Sequence, residues 1–323
     1  MMPPTRRQAL RSTLGLCALP LGARARTSDL VWRQRAMLGF GTSLWLQAAH
    51  HDAARCELAL DACVQAIRGI ERELSLFDPD SALCRLNRDG HLHQAPAHLR
   101  AVLRTAQRVA SASAGVLDVS MQPLWTLWSQ ATQHGCAPSE RALARTLQRV
   151  NWRAIEQRGN DVLLNLPGMA LSFNGIAQGY AADVVRHTLL RHGVQHALID
   201  TGEVMPVGDT RDGAAWTWQI ANATANAPGP RLRPDGRAMA TSSGASTAFS
   251  ADRRDHHIMD PRSGHSPRHW ASVTVLATTA TQADALTKVA FMTAPEQLRA
   301  MAQGWGVGVV AQDCVGHWHR HGA

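Results

Sequence analysis

The chain has 323 residues with 33 lysines and arginines against 25 aspartates and glutamates, a formal net charge of +8, and 45% hydrophobic residues. That length supports one large domain or two lobes. The basic residues form no dense run with interleaved aromatics, which argues against nucleic acid as a partner, and no apolar run suits a membrane span, which needs roughly 20 residues. The first segment, Thr5-Arg6-Arg7-Gln8-Ala9-Leu10 followed by a short apolar run at 14–22 and Ala23-Arg24-Ala25, has the pattern of a twin-arginine export signal. Residues 1–25 are therefore expected to be removed and 26–323 to fold for a periplasmic location. Leu16 ahead of Cys17 is too large for a good lipoprotein cleavage site. Loss of residues 1–25 takes four arginines and no acid, leaving +4.

In chain order, 36–47 is expected to be a strand kinked at Phe40-Gly41-Thr42, and 53–74 a helix with one apolar face. The stretch 74–87 reads as a loop around the turn Asp78-Pro79-Asp80-Ser81. Helices follow at 97–113 and at 139–150, where Ser139 is the N-cap, with Leu117-Asp118 and Pro123-Leu124 between them. From Arg153 the pattern changes to β-like runs at 161–166 and 169–173, a helix at 176–192 and a strand at 196–200, a strand-helix-strand unit. Strands at 216–221, 238–241 and 272–278 come next, separated by a polar loop at 225–236, and helices at 282–292 and 295–303 close the chain. His317 to His321 are expected to fray. The fold class is mixed α/β (α+β), helix-richer over 36–150 and sheet-richer over 151–323, with the cleft between the halves. Cys56, Cys63, Cys84, Cys136 and Cys314 form no zinc-finger spacing. Cys56 and Cys63 lie about 10 Å apart along one helix, too far to bridge, so free buried thiols are expected.

Four segments bear chemistry. Leu171 to Asp183 carries Asn174-Gly175-Ile176-Ala177-Gln178-Gly179 into a helix start, where unpaired amides favour phosphate and glycines let the main chain approach a ligand. The rival reading is a packing turn. In Ala283-Asp284-Ala285-Leu286-Thr287-Lys288, positions three and four apart bring a carboxylate, a hydroxyl and an ammonium to one face. Oxygen ligands of that kind suit magnesium or calcium, while an acid early in a helix also simply answers the helix dipole. Lys288 is the only lysine among the 33 basic residues, which suggests a site wanting a compact point charge. His256-His257-Ile258-Met259-Asp260-Pro261-Arg262 offers a general base or a metal ligand, with Arg262 free to meet an anion. Thr241-Ser242-Ser243-Gly244 invites a serine-nucleophile reading with His257 and Asp260, but it lacks the Gly-x-Ser-x-Gly elbow.

Taken together and in order, Phe40-Gly41-Thr42, Leu74 to Ser81 with Arg85-Leu86-Asn87, Leu117-Asp118 before Pro123, Asn174 to Tyr180, His257 to Gly264 and Ala283 to Thr287 resemble an ApbE-type FAD:protein FMN transferase across the whole mature chain. The resemblance implies a single domain of two-lobed, T-fold-like architecture. It also implies that FAD is cleaved at its diphosphate and FMN is left as a phosphoester on a threonine or serine of an acceptor protein, with release of AMP. By the same similarity Phe40, Phe77, Leu117 and Asp118 line the flavin and adenine ends of the site, with Asn174, Gly175, Gln178 and the Ile258 main chain near the ligand. Magnesium is held by the Ala177 carbonyl, Asp284 and the side chains at 287 and 288, and His257 assists removal of the acceptor proton.

This chain departs from the pattern at Gln178, where many members carry lysine, and at Lys288, where many carry threonine. An ammonium ~4 Å from a divalent ion would cost roughly 8 kcal/mol at an effective dielectric of ~20, so Lys288 either reaches past the metal to the diphosphate or replaces it. Phe77 stands where tyrosine is common. The turn Asp200-Thr201-Gly202-Glu203 resembles the NosX-like branch that serves nitrous-oxide-reductase maturation. Besides a transferase, an FAD carrier without transfer activity and an FAD pyrophosphatase remain open, with a serine hydrolase behind them.

Overall fold

In the computed structural model the described residues are 30–245, 247–250, 252 and 254–323; the expected export signal and Ser246 lie outside them. The chain begins with strands β1 (Val31–Gly39) and β2 (Thr42–His50), paired antiparallel from Val31↔His50 to Gly39↔Thr42. The expected kinked strand is thus a hairpin. Phe40 and Gly41 take φ of +50° and +77°, both left-handed, as a two-residue turn that matches the strand twist requires. A phenylalanine there is strained. Its amide is fixed by the Glu71 carboxylate at 2.8 Å.

Helices α1 (Ala53–Leu74), α2 (Ala82–Asp89), α3 (Ala97–Ala112), α4 (Gln122–Gln133) and α5 (Glu140–Leu147) follow. The 74–87 loop therefore ends in a helix. Ser81 accepts from the Cys84 amide as its N-cap, and Gly90 closes it at φ +73°, a start and stop in the usual chemistry. Helix α4, unforeseen, has Pro123 in its first turn. A small sheet of β3 (His91–Leu92), β4 (Ile155–Arg158) and β5 (Asp161–Leu164) sits beside them.

The second half supplies α6 (Ala177–Arg191), β6 (His196–Asp200), β7 (Val204–Val207), β8 (Trp218–Gln219), β9 (Arg231–Leu232), β10 (Ala238–Ser243), β11 (Trp270–Ala277), α7 (Ala280–Met292), α8 (Leu298–Trp305), β12 (Gly308–Asp313) and β13 (Trp318–His321). Eight strands make one sheet in the order β1-β2-β6-β7-β10-β11-β12-β13, each pair antiparallel. The strand expected at 169–173 contributes only an isolated bridge, Met121↔Ala170. The histidine-rich tail forms the edge strand β13, with the His319 ring and that of His317 just before the strand on the Asp313 carboxylate at 3.3 and 3.2 Å.

Strand periodicity builds two cores. Ala197 and Ile199 of β6, Ala238 and Ala240 of β10 and Val309 and Ala311 of β12 face the main core with α1, α6 and α7. Their neighbours Leu198, Met239 and Val310 face a second cluster that Trp216 and Trp218 help cover. A third cluster joins α4 and α5 to the 249–259 segment through Trp128, Leu143, Phe249 and Met259. Cys56 and Cys63 are buried and free as expected, whereas Cys136 and Cys314 are exposed.

Candidate functional site

Helices α6 and α7 start side by side, and each caps the other. Asp183 of α6 accepts from the Ala280 and Thr281 amides of α7 at 2.8 and 2.9 Å. Asp284 of α7 accepts from the Gly179 amide of α6 at 3.1 Å. Carboxylates borrowed from the neighbouring helix thus take amides at both helix starts, adding to the Thr279 N-cap of α7 and supplying α6, which has no side-chain cap of its own. The approach needs Gly179, since a Cβ there would stand 2.2 Å from the Ala280 carbonyl oxygen. Gly179 thus admits a helix and not a ligand. The acid at 284 does answer a helix dipole, but that of α6 and not its own.

The segment entering α6 is held from three further directions. Asn87 of α2 binds both main-chain groups of Leu171, at 2.9 and 2.6 Å. Val119 accepts from the Ser172 amide at 2.8 Å, and Met121 bridges Ala170. This ties Leu117 and Asp118 to the junction. Asp118 is buried, and its oxygens take the Ser120 amide and hydroxyl and the Trp152 amide, at 2.8, 2.6 and 2.9 Å, so it organises the loop. Burial raises its pKa against those hydrogen bonds. At the junction itself the Ile176 and Ala177 amides turn back to the Phe173 carbonyl. Those of Gly175 and Gln178 have no partner among the described residues. These are the donors an anion would meet.

Lys288 links these parts. Its ammonium lies 2.5 Å from Asp284 Oδ1 and 3.2 Å from the Asp284 carbonyl oxygen. Its stem runs against Gly175, where a Cβ would meet Lys288 Cε at 3.0 Å. Thr287, fully buried, donates to the Asp284 carbonyl and shares a hydrogen bond with Ser242, both at 2.7 Å. Nearby, Glu203 is buried and accepts from the Thr241 amide at 3.1 Å. Burial first and the Asp284 charge second push it well above the carboxylate range, with Lys288 opposing. Gln178 lies on Gly202 (φ +95°), where a Cβ would come 2.1 Å from Gln178 Nε2.

The expected side-chain ligands Asp284 and Thr287 lie on one turn of α7, but they do not fit a divalent ion. Both Asp284 oxygens are engaged, one by an ammonium, and the Thr287 hydroxyl is already hydrogen-bonded on two sides. Magnesium needs near-octahedral oxygen ligation. Among the described residues no three His, Cys, Asp or Glu side chains are grouped to hold a metal.

The two adjacent histidines differ. His256 is buried, edge-on to Phe291, and burial, with His257 and Arg268 beside it, lowers its pKa to about 4. A histidine neutral in the fold and protonated when unfolded keeps its full stability contribution above pH 6.5 and loses it as pH falls towards 4, on the order of 3 kcal/mol. The urea midpoint is therefore expected to drop between pH 7 and pH 4.5, and to drop less in His256→Gln. His257 is half-buried and its Nδ1 lies 3.3 Å from the Thr247 carbonyl oxygen. A carbonyl only accepts, so in the neutral ring Nδ1 carries the proton and Nε2 keeps a free lone pair. Burial and the Lys288 charge lower its pKa, the Thr247 hydrogen bond opposing. Ile258 is buried behind it. Phe40 is partly buried at its turn, while Phe77 is 82% exposed and Asn174 is exposed.

Other expectations give way. Arg262 is not free, since it clasps Asp260 with Nε on Oδ1 at 2.9 Å and Nη2 on Oδ2 at 2.6 Å. The Ser243 hydroxyl donates to the Ala271 carbonyl at 3.1 Å, and it forms no triad with His257 and Asp260, whose partners are Thr247 and Arg262. Hollows of about 570 Å³ on α3, beside Arg104 and Arg108, and about 450 Å³ beside Arg149 and Pro167 contain none of the site residues. Asp183 and Asn87, which hold the junction together, went unrecognised in the sequence. Each lies inside a quoted motif, but its partner is 84 or more positions away.

A model described as the ApbE family matches residues 40–310. The chain belongs to the ApbE family. A relative from Klebsiella pneumoniae (strain 342) named FAD:protein FMN transferase is 26% identical over 314 residues, covering 92% of this chain and 89% of that protein. One of the same name from Treponema pallidum (strain Nichols) is 29% identical, covering 87% and 83%. The fold is that of the ApbE protein from Thermotoga maritima (TM-score 0.82, 22% identity, covering 90% of this chain and 97% of that one). It is also that of the flavinyl transferase ApbE from Pseudomonas stutzeri in its apo form (TM-score 0.80, 24% identity, covering 93% and 99%).

Proposed function

We propose that this ApbE-family chain is an FAD:protein FMN transferase that attaches FMN to a threonine or serine of an exported acceptor and acts in the periplasm. The observation that carries the reading is the convergence of the unpartnered Gly175 and Gln178 amides and the Lys288 ammonium at the start of α6, with the His257 ring close enough to feel the Lys288 charge. Phosphoryl transfer needs little beyond placement and charge neutralisation, and those groups supply both. The acceptor oxygen bonds to the FMN-side phosphorus as the bond from that phosphorus to the bridging oxygen breaks. AMP departs with that oxygen, and the acceptor proton passes to His257 Nε2. Phe40 and Phe77 offer apolar faces to the flavin, which explains a phenylalanine kept at a left-handed φ.

Two consequences follow. Phe40→Asn is expected to leave stability within about 1 kcal/mol of wild type, since relief of the left-handed φ offsets the loss of its partial burial against the main core, and to weaken FAD about fivefold through loss of an aromatic face. Thermal melting and flavin fluorescence titration check both. The function itself is tested by incubating the protein with FAD and a co-exported acceptor domain. Flavin fluorescence that stays with the acceptor under denaturing conditions supports transfer. Bound, unreacted FAD would make the chain a carrier, and free FMN without an acceptor would make it a pyrophosphatase. The twin-arginine pattern supports the periplasmic location, for which a fractionation blot of the full chain and of an Arg6→Lys, Arg7→Lys variant is the measurement.

A further inference from the structure

We propose that the Lys288 ammonium is the resident cation of the diphosphate site, standing where a divalent ion would otherwise act, so that this chain binds and turns over FAD without a metal. The inference rests on the transferase reading for its substrate, but its metal arm does not.

Four independent features place the ammonium there. Lys288 Nζ is seated between Asp284 Oδ1 and the Asp284 carbonyl oxygen, at 2.5 and 3.2 Å, an all-oxygen seat of the sort a hard cation prefers. The seat is built around the lysine, for Gly175 leaves its side-chain space to the Lys288 stem, with only 3.0 Å from a Cβ to Cε. The remaining side-chain oxygen donors are closed off, Asp284 Oδ2 by the Gly179 amide and Thr287 Oγ1 by Ser242 and the Asp284 carbonyl. The side chain is still 21% exposed, and its stem lies against Gly175, whose amide is unpartnered, so the lysine stays accessible to an anion. A divalent ion would have to expel the ammonium from its carboxylate, and two cations in one seat repel. A fixed ammonium keeps one positive charge for the developing negative charge on the departing phosphate without needing a metal supply.

The test uses the whole chain and manganese as the metal probe. Free Mn²⁺ is followed by electron paramagnetic resonance with protein alone, with FAD alone and with both. The wild-type protein is expected to remove no Mn²⁺ beyond what FAD alone removes, whereas Lys288→Thr, which opens the seat, is expected to take up about one ion. Stoichiometric uptake by the wild type would overturn the proposal. Lys288→Met, checked for folding by circular dichroism, is expected to bind FAD at least tenfold more weakly in chelator, with no recovery on adding Mg²⁺. FAD binding at wild-type strength in that variant would also overturn it. Where transfer is measured, wild-type turnover in chelator within about twofold of that with Mg²⁺ supports the proposal, and abolition by chelator with recovery on Mg²⁺ refutes it. If no acceptor is ever flavinylated, the transferase reading fails, and the Mn²⁺ and FAD-binding results still decide the role of Lys288.

Discussion

His257→Gln is expected to slow FMN transfer by about 10²–10⁴-fold while FAD binds within about twofold of wild type. The reason is geometric. The Thr247 carbonyl, 3.3 Å from Nδ1, holds the ring in one tautomer and leaves Nε2 as the lone pair available to an incoming hydroxyl. Glutamine keeps the volume and a hydrogen bond to Thr247 but has no basic nitrogen. Burial and Lys288 hold the His257 pKa below the ordinary 6.5, so the ring is the neutral base at pH 7. Protonation abolishes it, so transfer is expected to fall with decreasing pH, with the midpoint of that fall below 6.5. Stopped-flow flavin fluorescence across pH 4.5 to 8 checks the profile. An acid limb unchanged in His257→Gln would take the base role away from this residue. His256 is excluded from that role by its burial and its packing on Phe291.

Asp284→Ala is expected to cost about 3 kcal/mol of folding stability as well as transfer. The substitution strands a mostly buried ammonium and leaves the Gly179 amide, on a buried hydrogen bond, without an acceptor. Stranding a charge is worse than removing the pair, so Asp284→Ala combined with Lys288→Met is expected to regain at least half of the loss. Asp284→Asn, which keeps an oxygen for Gly179, should fall between them. Urea midpoints of the three variants measure this. A loss below about 1 kcal/mol in Asp284→Ala would mean that water screens the pair.

Much of the architecture was legible because it is local. Helix α1 at Ala53–Leu74 follows from its apolar period, α3 and α6 begin and end within two residues of expectation, and Ser139 caps α5 as its position before a helical run implies. The elements that escaped depend on context. The β1–β2 turn places a phenylalanine at positive φ, against its intrinsic preference, and so looked like a kink. Helix α2 hid behind turn chemistry that proved to be its cap. Strand β13 is the polar edge strand and carries little period of its own, while β12 beside it is a short apolar run buried on both faces, which by itself does not distinguish a strand from a helix segment.

What the sequence determined by itself was the chemistry at each position: an aspartate, threonine and lysine on one helical face, a glycine-bearing helix entrance, a histidine ahead of a Pro-Arg turn, and the order of motifs that marks the ApbE family. Only the tertiary structure decided how those groups use one another. Asp284 and Asp183 each cap the other's helix across about a hundred residues of chain, and Lys288 rests in the oxygen seat expected to serve a metal. A side chain's partners depend on which helices meet, and the meeting of α6 and α7 depends on the absence of a single Cβ at Gly179, a constraint that periodicity along one segment cannot contain.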